Sequence, residues 1–209
     1  MCLYRGPSRE CAAKTILRGL TPKGKATVLA WHNLLRSRVA RGEERDQPAA
    51  ANMRELVWDP ELEEMAQRWA DQCTFGHGGD NTKLDGTRVG QNVFMGGSSA
   101  EEDQAGLTAR ASNPVERWYE EVQQFSSGDI QPFVFRRGAG HYTQLVWAST
   151  HTLGCASAYF RDGRWFRSLV VCNYGGGGNL GGAAMYTAGP ACSSCPAGTS
   201  CVDSLCRAA

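Results

Sequence analysis

The stretch Gly140-His141-Tyr142-Thr143-Gln144-Leu145-Val146-Trp147 puts one histidine at the head of a short apolar segment. Read as a strand, its alternation sends His141, Thr143, Leu145 and Trp147 to one face and Tyr142, Gln144 and Val146 to the other. A titratable ring then lies at the mouth of a packed face, where a metal ion or a carboxylate can use it. We therefore expect the functional site to form around His141, with partners from elsewhere in the chain.

The composition bounds the class of protein. The chain has 209 residues, a formal net charge of +1 and nine cysteines. This balance argues against a general nucleic-acid binder or a binder of anionic membranes, and no apolar run reaches the roughly 18 residues of a membrane span. The many cysteines favour an oxidising compartment. Because the first residues lack the apolar core of a signal peptide, we expect a secreted form without its leader.

Three helices are predicted where a capping residue precedes a proline. They begin at Thr21-Pro22, Asp59-Pro60 and Asn113-Pro114, and residues 1–20 before them are expected to be an irregular arm. Residues 89–94 are interpreted as a short strand or turn, and residues 98–107 as a weak helix. His32 shares the apolar stripe of the first helix, which favours a packed histidine with one satisfied nitrogen over a ligand.

Two further candidate residues lie near these helices. His77 is on a glycine-flanked loop, where functional residues are common, although a lone loop histidine is usually solvated. Glu121 lies on the border of the apolar stripe of the third helix, where a partly desolvated carboxylate needs a partner. The alternative for Glu121 is an ordinary boundary glutamate that reaches water.

The last third of the chain predicts a β-hairpin and a cysteine-rich tail. Two apolar runs, residues 152–160 and 164–174, meet at Asp162-Gly163, a strong turn signal. With a two-residue turn there, Cys155 and Cys172 share a face but lie diagonally, roughly 7–8 Å apart. A bridge needs about 5.5–6 Å between Cα atoms, so we expect a longer loop or a bulge. The glycine-rich loop over residues 175–182 lacks the features of a phosphate-binding loop.

The tail cysteines admit two interpretations. Their spacing, Cys192-x-x-Cys195 followed by Cys201 and Cys206, is compatible with zinc, but two disulfides are favoured in a secreted chain. Four cysteines allow three pairings. We expect the alternating one, Cys192 with Cys201 and Cys195 with Cys206.

Several motifs, in order along the chain, resemble the CAP superfamily of secreted cysteine-rich proteins. Besides residues 140–147 they are His32-Asn33-x-x-Arg36, Trp69-Ala70-x-Gln72-Cys73-x-Phe75-x-His77, Val89-Gly90-Gln91-Asn92-Val93, Trp118-Tyr119-Glu120-Glu121-Val122 and Leu169-Val170-Val171-Cys172-Asn173-Tyr174. Residues 39–53 look most like the antigen-five branch, the venom and saliva allergens of arthropods. The resemblance implies an α+β fold, a three-layer α-β-α sandwich around an antiparallel sheet. It divides the chain into an arm (1–20), a CAP domain (21–182) and a short disulfide-rich tail (183–209).

The resemblance also implies a cleft. Its two histidine and two acidic positions fall on His77, His141, Glu121 and Gln91, so one acid is replaced here by an amide. Tyr142, Gln144 and Asn173, from the same motifs, are expected to line the cleft as well. His77 and His141 are the expected ligands of a divalent ion such as Zn²⁺, with weak and pH-sensitive affinity because a charge is missing. Gly176 stands where a proline is usual, which should loosen that loop.

Disulfides and function follow from the same resemblance. It pairs Cys11 with Cys73 and Cys155 with Cys172, which leaves Cys2 unpaired. It implies a non-enzymatic extracellular scaffold that binds lipid, sterol or a host protein. The alternatives are a metal- or His/Glu-dependent hydrolase using His77, Glu121 and His141, and a structural role in which the histidines are linked through water. The chain has no His-Glu-x-x-His helix, no Gly-x-Ser-x-Gly elbow and no identifiable nucleophilic serine, which favours the scaffold.

Overall fold

The computed structural model describes Tyr4 and residues 6–78 and 81–209. Within them the chain forms six α-helices, seven β-strands and two short 3₁₀ turns. The helices are α1 Arg9–Lys14, α2 Pro22–Ala40, α3 Pro60–Ala70, α4 Gln104–Ala109, α5 Asn113–Glu120 and α6 Gly140–Leu145. The strands are β1 Thr15–Arg18, β2 Val57–Trp58, β3 Val89–Ser98, β4 Thr152–Asp162, β5 Trp165–Gly175, β6 Thr199–Val202 and β7 Leu205–Ala208. The 3₁₀ turns are Glu121–Gln124 and Ser127–Asp129.

A five-stranded sheet forms the middle layer. Its order is β1-β4-β5-β3, antiparallel throughout, and the short β2 runs parallel beside β4. Alternate residues of β5 face two different cores. Val170, Cys172 and Tyr174 pack with residues of α2, α5 and α6, whereas Leu169 and Val171 pack with residues of α3. Helices therefore cover both faces, and the expected three-layer α-β-α architecture is confirmed.

The starts of two helices follow the predicted capping chemistry. The Thr21 hydroxyl accepts a hydrogen bond from the Gly24 N–H at 3.0 Å, and the Asp59 carboxylate accepts from the N–H groups of Glu61 and Leu62. The prediction for α5 was wrong in detail, because Ser112 is its N-cap and makes no side-chain cap bond. Proline at the first turn suffices there, since its missing N–H needs no partner.

The N-terminal arm is more regular than expected. Residues 9–18 form α1 and then β1, which adds an antiparallel edge strand beside β4. Ser8 caps α1 through a bond from the Cys11 N–H, and the Cys11–Cys73 disulfide ties the arm to the segment after α3. Cys2 lies outside the described residues. The weak helix expected over 98–107 begins later, at Gln104, and the strand or turn expected over 89–94 is a ten-residue strand.

The β4–β5 hairpin corrects the expected register. The turn residues are Gly163 and Arg164, because Asp162 still pairs with Trp165. Gly163 has a φ of +59°, a conformation that glycine adopts readily. This shift of one residue brings Cys155 directly opposite Cys172, with Cα atoms 4.1 Å apart, and they form a disulfide. The longer loop or bulge that we expected is not needed.

The tail folds as a small hairpin on the body of the protein. Strands β6 and β7 pair, and the disulfides are Cys192–Cys201 and Cys195–Cys206, the alternating pairing expected. The domain boundary at residue 182 stays a prediction, although Met185 and Tyr186 beyond it lie fully buried in the larger core. The helices of the described residues are all too short or too polar to cross a bilayer.

Candidate functional site

His141 is carried by a helix and not by a strand. Residues 140–145 form α6, so the strand predicted for this stretch was wrong. No residue of the adjoining chain caps this helix with its side chain. Instead, Glu121 Oε2 accepts from the backbone N–H groups of His141 and Tyr142, at 2.8 and 3.2 Å. A carboxylate 20 residues away therefore satisfies the N–H groups that a local cap would otherwise take.

The same carboxylate fixes the His141 ring. Glu121 Oε1 lies 2.6 Å from His141 Nδ1, and both side chains are partly buried. An ionised carboxylate only accepts hydrogen bonds, so Nδ1 carries the proton and Nε2 presents its lone pair. Trp118 stacks on the ring, with centroids 6.1 Å apart and 25° between the planes. His141 is thus held in the orientation and tautomer that a metal ligand needs.

Gln91 plays a similar part for His77. The His77 side chain is exposed on its loop, and its Nδ1 lies 3.3 Å from Gln91 Oε1, which also accepts from the Gly78 N–H. The amide nitrogen of Gln91 donates to the Gly78 carbonyl and to Asn173 Oδ1, so the orientation of the amide is determined. Because Oε1 is an acceptor, it favours a proton on His77 Nδ1 and leaves Nε2 free.

The two rings approach one another. Their centroids are 6.4 Å apart and their planes are inclined by 38°. In a tetrahedral zinc site with Zn–N bonds of about 2.0–2.1 Å, two such centroids lie roughly 5 Å apart, so these rings are about 1 Å farther apart than joint coordination requires. His77 is the more exposed of the two residues. Two imidazoles are ligands that suit a divalent ion such as Zn²⁺, so these are the two residues that could hold one.

A second cluster of donor atoms does not fit a metal. Sulfur atoms of Cys192, Cys195 and Cys206 lie within 4.8 Å of one another. All three are in disulfides, and zinc binds thiolates. Zinc in the tail is therefore incompatible with this structure.

Beside His77 an open cleft of about 400 Å³ crosses the end of the sheet. His77, Gln91, Gln144 and Asn173 line it, and Glu121 and His141 lie outside its lining. Tyr142 does not belong to it. Its ring is fully buried against Tyr119 and Phe125, and burial raises the pKa of its phenol well above the usual value. The expectation that Tyr142 lines the cleft was wrong, because the helix turns it into the core.

Gln144 and Asn173 support the cleft from below. Gln144 Oε1 accepts from the Gly178 N–H at 2.8 Å and its amide nitrogen donates to Thr150 Oγ1. Asn173 donates to the Leu62 carbonyl and accepts from Gln91. Both side chains are buried with both ends occupied, so they hold the floor of the cleft and offer little to a ligand.

Sequence reasoning missed three polar side chains of this lining, namely Asn81, Arg88 and Asn179. Asn179 has a φ of +58°, which asparagine tolerates better than most residues, and its amide bonds Gly140 and Thr143. Its place after a glycine run was the available signal. Arg88 immediately precedes the Val89–Val93 motif, but no local pattern indicates that its side chain turns into the cleft.

A cystine-braced α-β-α sandwich, with His77 on an open cleft and His141 near it, defines the class of this protein. The model of the cysteine-rich secretory protein family, CAP, matches residues 29–174, and the chain belongs to that family. The predicted resemblance is confirmed.

Known relatives point to the same branch. The chain is 39% identical over 220 residues to a CRISP/Allergen/PR-1 protein of Trittame loki, a match that covers 99% of this chain and 52% of that protein. The chain thus spans about half the length of that relative. It is 38% identical to a venom allergen 3 homolog of Dinoponera quadriceps, over 89% of this chain and 82% of that one. Among solved structures, NaASP2 with Zn²⁺ is 33% identical with a TM-score of 0.72, covering 90% of this chain and 97% of that one.

Proposed function

We propose that this protein is a secreted, extracellular, non-enzymatic binding scaffold of the venom-allergen type, with a weak divalent-metal site at His77 and His141. The four disulfides support an oxidising, extracellular setting. The proposed partners are a lipid or sterol, or an extracellular host protein.

The observation that carries the proposal is the complete engagement of Glu121. Its two oxygens accept three hydrogen bonds, all from His141 and Tyr142. A carboxylate held in this way orients His141 and is poorly placed to serve as a general base toward the cleft. The described residues that line the cleft also include no hydroxyl or thiol side chain that could act as a nucleophile.

The proposed metal site is supported by the two imidazoles and by the similarity of this chain to a solved structure with Zn²⁺. NaASP2, which is 33% identical, is a structure with Zn²⁺. In this chain Gln91 contributes no negative charge and Glu121 binds His141 from behind, so the protein supplies two neutral ligands. We expect an affinity well below that of a three- or four-ligand zinc site, and one that falls at acid pH as protons compete for the rings.

Calorimetric titration with Zn²⁺ at pH 7.5 tests the metal site. His77→Ala and His141→Ala should each abolish the binding heat, because one imidazole does not hold the ion. His151→Ala is the matched control, since the His151 ring contacts the Ser149 carbonyl and lies outside the site. Equal zinc binding by the wild type and all three variants would refute the proposed metal site.

A second cavity supports the proposal of a lipid ligand. It has a volume of about 380 Å³ between the start of α2, α4 and the sheet, and Leu20, Phe94, Leu107 and Val170 supply apolar lining. This volume falls in the range of small-ligand pockets. An Arg110–Glu102 ion pair also contributes to its wall.

Native mass spectrometry after exposure to palmitate or cholesterol tests the lipid ligand and separates the two chemistries. Leu107→Trp should fill the cavity and remove the bound lipid, whereas Leu84→Trp, at a side chain 78% exposed and outside the cavity, should not. If the wild-type protein binds neither palmitate nor cholesterol, the proposal of a lipid ligand in this cavity is refuted.

One observation favours a hydrolase as the second candidate. The 2.6 Å contact between Glu121 and His141 is the geometry of a carboxylate that orients a metal-binding histidine, as in metal-dependent hydrolases. Such an enzyme would attack with a water molecule, with His77 and His141 holding a metal. Zinc-dependent hydrolysis of a peptide or ester library that disappears in His141→Ala would overturn the scaffold proposal.

A further inference from the structure

The cleft beside His77 contains a positive charge that the metal site does not use. Arg88 Nη1 donates to the Gly177 and Gly178 carbonyls at 3.0 and 2.8 Å. The backbone carbonyl of Arg88 accepts from the N–H groups of Gly176 and Gly177. The side chain and the backbone of Arg88 therefore both hydrogen-bond to the loop at residues 176–178. These bonds hold the guanidinium in place although Arg88 is exposed.

This guanidinium keeps free hydrogen-bond donors. Across residues 6–78 and 81–209, Nε and Nη2 of Arg88 have no hydrogen-bond partner and no carboxylate pairs with the side chain. Arg88 is also the one formally charged group among the described residues that line the cleft, where its neighbours are amides, glycines and His77. No carboxylate among the described lining residues balances this charge, which favours an anion.

We infer that the cleft binds a carboxylate group on Arg88. Two N–H groups of a guanidinium, fixed in one plane, match the two oxygens of a carboxylate, and one positive charge balances one negative charge. Asn81, whose amide nitrogen has no partner among the described residues, lies in the same lining and can donate a further bond. A carboxylate of this kind is offered by a peptide carboxyl terminus or by a uronic acid.

The inference rests on the proposal that the cleft is a binding site, but it does not require the metal. A metal ion on His77 and His141 would add positive charge and strengthen the attraction. The carboxylate site must nevertheless persist without it, because Arg88 is held by protein groups alone.

NMR titration of ¹⁵N-labelled protein in the presence of a chelator tests the inference. One arm uses an N-acetylated dipeptide with a free carboxyl terminus and the same dipeptide as its amide; the other uses glucuronate and glucose. We expect the Gly177, Gly178 and Arg88 Nε resonances to shift with at least one carboxylate and with neither neutral analogue. The arm that binds identifies the source. Absence of shifts with both acids, or equal shifts with the neutral compounds, overturns the inference.

Substitutions of Arg88 test whether its guanidinium binds the carboxylate. Arg88→Ala should weaken carboxylate binding at least ten-fold, and Arg88→Lys should weaken it several-fold because an ammonium group lacks the planar pair of donors. Arg137→Ala, which removes an exposed arginine outside the cleft lining, should bind as wild type. If Arg88→Ala disturbs the loop, the wild-type shifts still decide the question. Inorganic sulfate that binds as tightly as the acids would overturn the carboxylate class.

A zinc titration of the same samples separates the two proposals. His141→Ala, outside the cleft lining, should lose zinc and keep the carboxylate, whereas Arg88→Lys should keep zinc and bind the carboxylate several-fold more weakly. Carboxylate binding that needs zinc and ignores Arg88 would overturn the inference and leave the metal site intact.

Discussion

Replacing Arg36 with methionine should destabilise the protein strongly. Arg36 is fully buried within α2, and its guanidinium donates to five backbone carbonyls. Four of these, on residues 145, 147, 148 and 150, belong to the segment that ends α6 and leads into β4. Burial lowers the pKa of Arg36 to about 9, so the group is still charged at pH 7.

The expected loss of stability follows from the carbonyls that lose the Arg36 guanidinium as their hydrogen-bond donor. Those of Trp147 and Ala148 also accept backbone N–H groups, whereas those of Arg54, Leu145 and Thr150 have no other donor among the described residues. Each unsatisfied buried carbonyl costs about 1–3 kcal/mol. Removing a buried cation recovers part of its desolvation penalty. We expect a net loss of about 3–5 kcal/mol, a large share of the roughly 5–15 kcal/mol of a typical domain.

Urea unfolding at pH 7 with the disulfides intact measures this loss. With an m-value of about 2 kcal/mol/M, the midpoint should fall by roughly 2 M. Lys23→Met in the same helix is the control, because Lys23 is exposed, which predicts a change below about 1 kcal/mol. A loss below about 1 kcal/mol in Arg36→Met would show that desolvation of the cation cancels its hydrogen bonds.

Three further predictions concern the buried histidine, the cleft amide and the hairpin disulfide. Burial lowers the pKa of His32 to about 4, so the unfolded chain binds a proton below about pH 6.5 and the folded chain does not. The contribution of His32 to the free energy of unfolding should therefore be full above pH 6.5 and fall by about 3 kcal/mol toward pH 4. Denaturation at several pH values should show this fall in the wild type and much less of it in His32→Gln. Gln91→Glu should tighten zinc roughly ten-fold by adding a negative charge behind His77, and calorimetry that finds unchanged or weaker affinity would contradict that role. Replacing both Cys155 and Cys172, which are 17 residues apart, with alanine should lower the free energy of unfolding by about 3 kcal/mol; a chemical denaturation curve that coincides with wild type would show that strand pairing alone holds β4 to β5.

The elements that sequence predicted well are those whose signals are local. Thr21-Pro22 and Asp59-Pro60 begin helices because cap and proline act within one turn. The hairpin was predicted from Asp162-Gly163, but its turn lies one residue later, at Gly163 and Arg164. A glycine fits either position of a tight turn, so the sequence does not decide between them. The motifs that carried the resemblance predicted the layers of the fold, which no local signal contains.

The error at residues 140–147 has a physical cause. A short apolar run can be a strand or a helix, and alternation alone does not decide between them. The stretch has no local side-chain N-cap, so it carries no local signal for the start of a helix. The missing acceptor comes from Glu121, and a partner 20 residues distant is invisible to any local pattern. Glu121 was suspected of needing a partner, but its partners were backbone N–H groups as well as the His141 ring.

The placement of His141 also depends on a buried chain of hydrogen bonds that crosses the larger core. His32 Nδ1 donates to the Val28 carbonyl and Nε2 accepts from the Tyr174 hydroxyl, each at 2.8 Å. Asn92 then donates to the Tyr174 hydroxyl and to the His141 carbonyl. Four of the motifs that carried the resemblance thus meet in one network, so His32, Asn92 and Tyr174 position the site without touching a ligand. Because a buried polar network is stable only when every member is bonded, loss of one of them should displace α6 as well as weaken the core. His141 is therefore held by the interior of the protein as much as by its own neighbours.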